Sequence, residues 1–71
     1  MMASEVKSAA EATQIAQSFI KKYRFTARPL KAVREDDTWL VEIDVGPLAT
    51  MIAKVKVDAK SGDILEYTIP G

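Results

Sequence analysis

Three clusters in this chain have residue types and spacing that could do chemistry. The first is Asp58, Lys60, Ser61 and Asp63, gathered around Gly62. A calcium loop of the EF-hand type needs oxygen ligands at alternate positions, a central Gly and a closing Glu. Here Lys60 stands where a ligand should be and no Glu closes the loop at the right distance, so plain turn chemistry is the stronger reading. The second cluster is Glu35-Asp36-Asp37, which could hold a metal or act as acid and base. Adjacent acids in a loop are usually just solvated, and a chain without His offers them no imidazole partner. The third is Lys21, Lys22, Arg24, Arg28, Lys31 and Arg34, six of the ten basic residues within fourteen positions.

That basic run, interleaved with Tyr23 and Phe25, could form an anion or RNA surface, with Lys21, Lys22, Arg24 and Arg28 as its centre. The competing reading has Lys21, Lys22 and Arg24 complementing a helix C-terminus, Tyr23 in the core, and the acids at 35–37 cancelling the field. Isolated residues add little. Trp39 and Met51 sit at positions that read as core. Ser4, Ser8, Ser18 and Ser61 have no histidine to activate them, and no spacing marks a Ser–Lys pair.

Composition narrows the field further. Seventy-one residues make one small domain, and such a chain buries only roughly 60% of its unfolded surface. With no Cys and no His, disulfides, thiolate–zinc sites and imidazole catalysis are excluded, leaving close packing or self-association to stabilise it. Ten basic residues balance ten acidic ones, whereas a nucleic-acid module normally carries a basic excess. Met1 to Lys7 contains no apolar core of a signal peptide, and no stretch approaches membrane-spanning length. The expected location is therefore cytoplasmic, unless the chain is a domain of an envelope or secreted protein. No cofactor and no metal are expected.

The elements that must position these residues follow from periodicity. Residues 1–7 read as a flexible lead-in and 8–71 as the domain. Ser8 with Glu11 fits a capping box. Ala9, Ala12, Ile15, Ala16, Phe19, Ile20 and Tyr23 then share one helical face, and pre-proline Arg28 and β-branched Thr26 end a helix of about 16 residues by Phe25. Arg28 to Arg34 reads as a short edge strand opened by Pro29. Thr38 to Val45 and Met51 to Asp58 alternate cleanly, putting Trp39, Val41, Ile43, Ala53, Val55 and Val57 on one face. After the Ser61-Gly62 turn, Leu65, Tyr67 and Ile69 are expected on that same face, with Ile64, Glu66 and Thr68 opposite.

The expected fold is α+β: one N-terminal helix packed on a four-stranded antiparallel meander. Pairing Val45 with Ala53 and Val57 with Leu65 would set Asp44 against Lys54, Glu42 against Lys56, and Lys56 against Glu66 on the water-facing side.

With these elements placed, the chain resembles the PepSY domain family. The likeness rests on the Ala-rich helix, the strand Trp39-Leu40-Val41-Glu42-Ile43 and the hairpin Val57-Asp58-Ala59-Lys60-Ser61-Gly62-Asp63-Ile64-Leu65, and it spans about Ala9 to Tyr67. Such domains occur in propeptides of secreted metallopeptidases and in cell-envelope proteins, so the resemblance implies an inhibitory or regulatory binding role and no catalytic residue. This chain departs from that setting in having neither a signal peptide nor an attached peptidase, which puts the inhibitory role in doubt.

The expected function is a small non-enzymatic binding module. Its partner is expected to be a protein, peptidase-like or a second copy, met through an edge strand or through Leu40, Ile52 and Ile64 on the exposed sheet face. The alternative is an anion or nucleic-acid module using the segment 21–34.

Overall fold

Helix α1 (Ala9–Ile20) begins where its cap was expected. Ser8 Oγ accepts from the Glu11 N–H at 3.2 Å, and the Glu11 carboxylate accepts from the Lys7 N–H at 2.8 Å. The cap bond satisfies one helix-start donor, worth about 1 kcal/mol, while the reciprocal bond of the expected capping box goes to the residue before the cap rather than to Ser8. The computed structural model of the protein describes residues 5–23 and 26–70. The helix is shorter than its apolar periodicity suggests: it runs 12 residues, and Lys21 to Tyr23 form a turn in which the Tyr23 N–H donates to Ile20 O at 2.9 Å. The turn sits where the chain prepares to reverse toward Pro29. Phe25, the expected helix end, lies outside the described residues.

Four strands follow, β1 (Arg28–Glu35), β2 (Thr38–Asp44), β3 (Ile52–Asp58) and β4 (Ile64–Thr68), in one antiparallel sheet of order β1-β2-β3-β4. The fold is thus a helix followed by a meander. Alternation in β2 and β3 is strict on the helix side: Val41, Ile43, Ala53, Val55 and Val57 are fully buried and Trp39 nearly so. Burial of this row against α1 is the main stabilising term, at ~25 cal/mol per Å² of apolar surface.

The pairing corrects the expected register by two residues between β2 and β3. Ile43, not Val45, faces Ala53; Glu42 faces Lys54; Leu40 faces Lys56; and Asp44 faces Ile52. A two-residue shift leaves every side chain on its own face. The Lys56–Glu66 pair is as expected, 3.3 Å apart. The row Glu42–Lys56–Glu66 is therefore replaced by two rows, Val33–Leu40–Lys56–Glu66 and Lys31–Glu42–Lys54–Thr68.

A second correction concerns the segment read as a flexible lead-in. Within it Val6 is buried in the core; its N–H donates to Ala59 O, and its carbonyl accepts from Trp39 Nε1 at 3.0 Å. The Ala59 N–H in turn donates to Asp37 O at 2.8 Å. One buried residue in the β3–β4 turn thus ties together the N-terminal segment and the β1–β2 turn. Both turns use residues suited to left-handed backbone, Asp36 at φ 56° and Gly62 at φ 81°. A Cβ at Gly62 would cost about 1 kcal/mol.

Removing residues 1–7 is expected to uncover the single tryptophan and leave its N–H without a protein acceptor. The emission of Trp39 should shift to the red and the denaturation midpoint should fall. Val6→Ala alone should cost roughly 2 kcal/mol in urea unfolding, the removed methyls plus a small void. Unchanged emission and an unchanged midpoint on truncation would contradict this tether.

Candidate functional site

Which side chains line the site depends on how α1 lies on the sheet. Ala12, Ala16 and Ile20 point into the core, and two alanines let the backbone come close to the strands. The larger ridge Ile15–Phe19–Tyr23, one helical turn apart each time, is displaced to the side and only partly covered. Helix α1 packs on β1, β2 and β3 and leaves β4 at its margin. Between that ridge and β4 lies an open groove of about 490 Å³, lined by Glu11, Gln14, Ile15, Ser18, Phe19, Lys22 and Ile64. At its side the Phe19 ring meets Tyr67 edge-on at 4.8 Å and Tyr23 at 5.4 Å, while Tyr23 and Tyr67 stack at 6.3 Å. Tyr23 and Tyr67 are each about half exposed.

Strand β4 reaches this groove through a β-bulge. Val57 pairs with Ile64 and Lys56 with Glu66, so Leu65 is an extra residue with no partner on β3. Ile64 and Tyr67 both turn toward α1, and Leu65 stands out in solvent. This overturns the expected placement of Ile64 on the water-facing side and of Leu65 on the helix side. Leu40 and Ile52 remain on the open face, both half-buried, separated by the Glu42–Lys54 pair. The three residues expected to form one patch therefore lie on two faces. The groove itself was missed in the sequence, although the helical ridge Ile15–Phe19–Tyr23 was visible there.

The basic residues are not gathered either. Arg28 Nη2 donates to Asp44 Oδ2 at 2.9 Å and to Gly46 O at 3.0 Å. Lys31 lies 4.0 Å from Glu42, and Arg34 lies 4.0 Å from Asp37 with its guanidinium 5.8 Å from the Trp39 ring centroid. Lys21 and Lys22 are exposed just past the helix and form no ion pair among the described residues; Arg24 lies outside them.

Of the acids, Asp37 lies 4.0 Å from Arg34 and 3.5 Å from Lys60, and Asp58 is taken up by its own turn. Asp58 accepts from the Lys60 N–H and the Ser61 hydroxyl, both at 3.0 Å, which is turn chemistry in full. Among the described residues no three His, Cys, Asp or Glu side chains converge as a metal site would require. Asp44, expected on the water-facing side against Lys54, is instead buried and faces Ile52, because an Asp two residues before Gly46 folds back on the loop as an Asx turn. Its Oδ1 accepts from the Gly46 N–H at 2.9 Å and the Met51 N–H at 3.1 Å, closing the β2–β3 loop. Gly46 is needed there, since a Cβ would fall 1.6 Å from Ala49 O. The Arg28 hydrogen bond, then the Gly46 and Met51 N–H groups, hold the Asp44 carboxyl down at about 2.

Among the described residues no helix is long and apolar enough to cross a membrane. Compared with known proteins, the chain matches no family model, no curated protein and no solved structure.

Two outcomes follow from this geometry. Deleting Leu65 should be tolerated, because Ile64, Glu66 and Tyr67 keep their partners in a regular ladder; the variant should fold with its β3–β4 pairs intact in amide NMR spectra. An unfolded variant, or one whose Glu66 moves opposite Val57, would refute the bulge. Asp44, with its folded pKa lowered, stabilises in full above its ordinary value of 3.8, and that contribution is lost as the pH falls through about 2. Asp44→Asn should therefore melt below wild type at neutral pH, with the gap closing between about pH 4 and pH 2. A gap that does not change with pH would contradict it.

Proposed function

We propose that the chain is a small non-enzymatic module, PepSY-like in kind, that acts by binding another polypeptide in the groove between α1 and β4. One observation carries this reading: the helix leaves the β4 margin uncovered, so Ile15, Phe19, Ile64 and Tyr67 present apolar surface beside the free edge of a terminal strand. An apolar floor with polar residues Glu11, Gln14, Ser18 and Lys22 along its rim suits side chains of a protein better than a small charged metabolite. The lining offers one carboxylate and no second group poised against it, so it supplies no acid–base pair. The PepSY-like hairpin supports the regulatory character of the proposal, since Asp58 and Gly62 build its turn and leave no chemistry to spare. The anion-binding alternative is weaker, because the Arg28 guanidinium is already held by Asp44 and Gly46 O.

The test is positional. A photo-crosslinking residue in place of Ser18, on the groove, is compared in cells with one in place of Lys54, on the open sheet face. Polypeptide adducts should form from position 18 and be scarce from position 54. Equal yields from both, or adducts to nucleic acid, would overturn the reading.

A further inference from the structure

We propose that the polypeptide taken by this groove is a second copy of the same chain, docked about a two-fold axis; the inference rests on the binding reading above and names its partner. The observation behind it is the charge order along the groove. Glu11, Ile15, Ser18 and Lys22 follow one stripe of α1 and its terminal turn, at spacings of four, three and four residues. The stripe carries an acid at one end and a base at the other, roughly 16 Å away, with Ile15 and Ser18 between them and the apolar Phe19 and Ile64 alongside.

Such a stripe is complementary to itself when reversed. A two-fold axis through its middle sets Glu11 of each copy against Lys22 of the other, so two opposite-charge pairs form at once. A parallel arrangement would oppose like charges instead. Between the paired ends, the Ile15–Phe19 ridge of each copy meets the apolar floor of its neighbour, in the antiparallel side-by-side packing common to helix pairs.

The two charged groups are available for this. Both residues are exposed; among the described residues Lys22 forms no ion pair, and the Glu11 carboxylate engages only the Lys7 main-chain N–H. The chain's balance of ten basic and ten acidic residues adds no long-range repulsion between copies. The apolar contact is limited to Ile15, Phe19 and Ile64 of each copy, few residues beside the ~800 Å² per partner of a standard interface, so the pair is a weak and reversible dimer.

Sedimentation equilibrium on the full chain, from about 1 μM to 1 mM, reads it directly. Wild type should pass from the mass of one chain to that of two, with the midpoint moving to higher concentration as salt is added. Glu11→Lys and Lys22→Glu should each stay monomeric at concentrations where wild type is paired. Their equimolar mixture should dimerise again, since one chain then offers two bases and the other two acids. Thermal melts of each variant separate lost pairing from lost folding. If Glu11→Lys proves unstable through its cap, Lys22→Glu alone decides, because it lies beyond the helix.

A wild type of single-chain mass at every concentration overturns the dimer, as does a Lys22→Glu chain that pairs like wild type, or folded single variants whose mixture stays monomeric. Position-18 crosslinks to a different polypeptide, with a monomeric wild type, would defeat this inference and leave the binding role standing. Absence of polypeptide crosslinks at position 18 would defeat both.

Discussion

The extra residue Leu65 in β4 is the constraint on which the exposed surfaces of this protein depend. Strand parity admits no compromise: a side chain faces the helix or it faces away. By taking no partner on β3, Leu65 lets two residues of one parity mismatch, Ile64 and Tyr67, both face α1. In a regular ladder of the same residues, Leu65 and Tyr67 would face α1 and Ile64 would face water. The bulge therefore sets the apolar content of the β4 margin. That margin stays open because Ala12 and Ala16 seat the helix close over the other three strands. A narrow helix contact and a bulged edge together make a groove where a regular sheet and a centred helix would have made a closed face.

The opposite end of the sheet is organised by main-chain bonds rather than by area. Ala59, almost fully buried, donates to Asp37 O and accepts from the Val6 N–H, while Trp39 donates to Val6 O. Buried backbone groups left without partners cost more than the bonds themselves yield, so these three segments hold one another in place. For a chain with so little interior, that substitutes for the disulfide or metal found in many domains of its size. The Asp44 clamp does the same for the β2–β3 loop.

Most of the architecture was legible in the sequence, and the failures have physical causes. Ser8, Glu11 and the 3.6-residue spacing announced α1; the alternation through Trp39 and Val57 announced the buried face of β2 and β3. The β2–β3 pairing was misjudged by two residues because apolar patterning fixes parity and is blind to an even shift. Ile64 was misplaced because Ile64-Leu65 puts two large apolar residues side by side, and composition cannot say which of them is the bulged one. Val6 was overlooked because a lone valine ahead of a helix cap has no periodicity to give it away. The basic run looked like a patch in one dimension, yet strand pairing delivers Arg28 to Asp44 and Lys31 to Glu42, and the β1–β2 turn brings Arg34 to Asp37. The groove depends on where α1 sits across the strands, which is a property of packing and of no single segment.

The central claim, that a bulge at Leu65 turns Ile64 toward the helix and so opens the groove, is tested most directly by methyl NMR of the intact chain. Cross-strand residues on one face bring their Cβ atoms within ~4.5–5.5 Å, well inside the range of a nuclear Overhauser effect. The account predicts strong contacts between the methyls of Ile64 and Val57, and none from Ile64 to the side chain of Leu40. Contacts from Val57 to Leu65 instead, with Ile64 seen against Leu40 or Lys56, would show a regular ladder and contradict it.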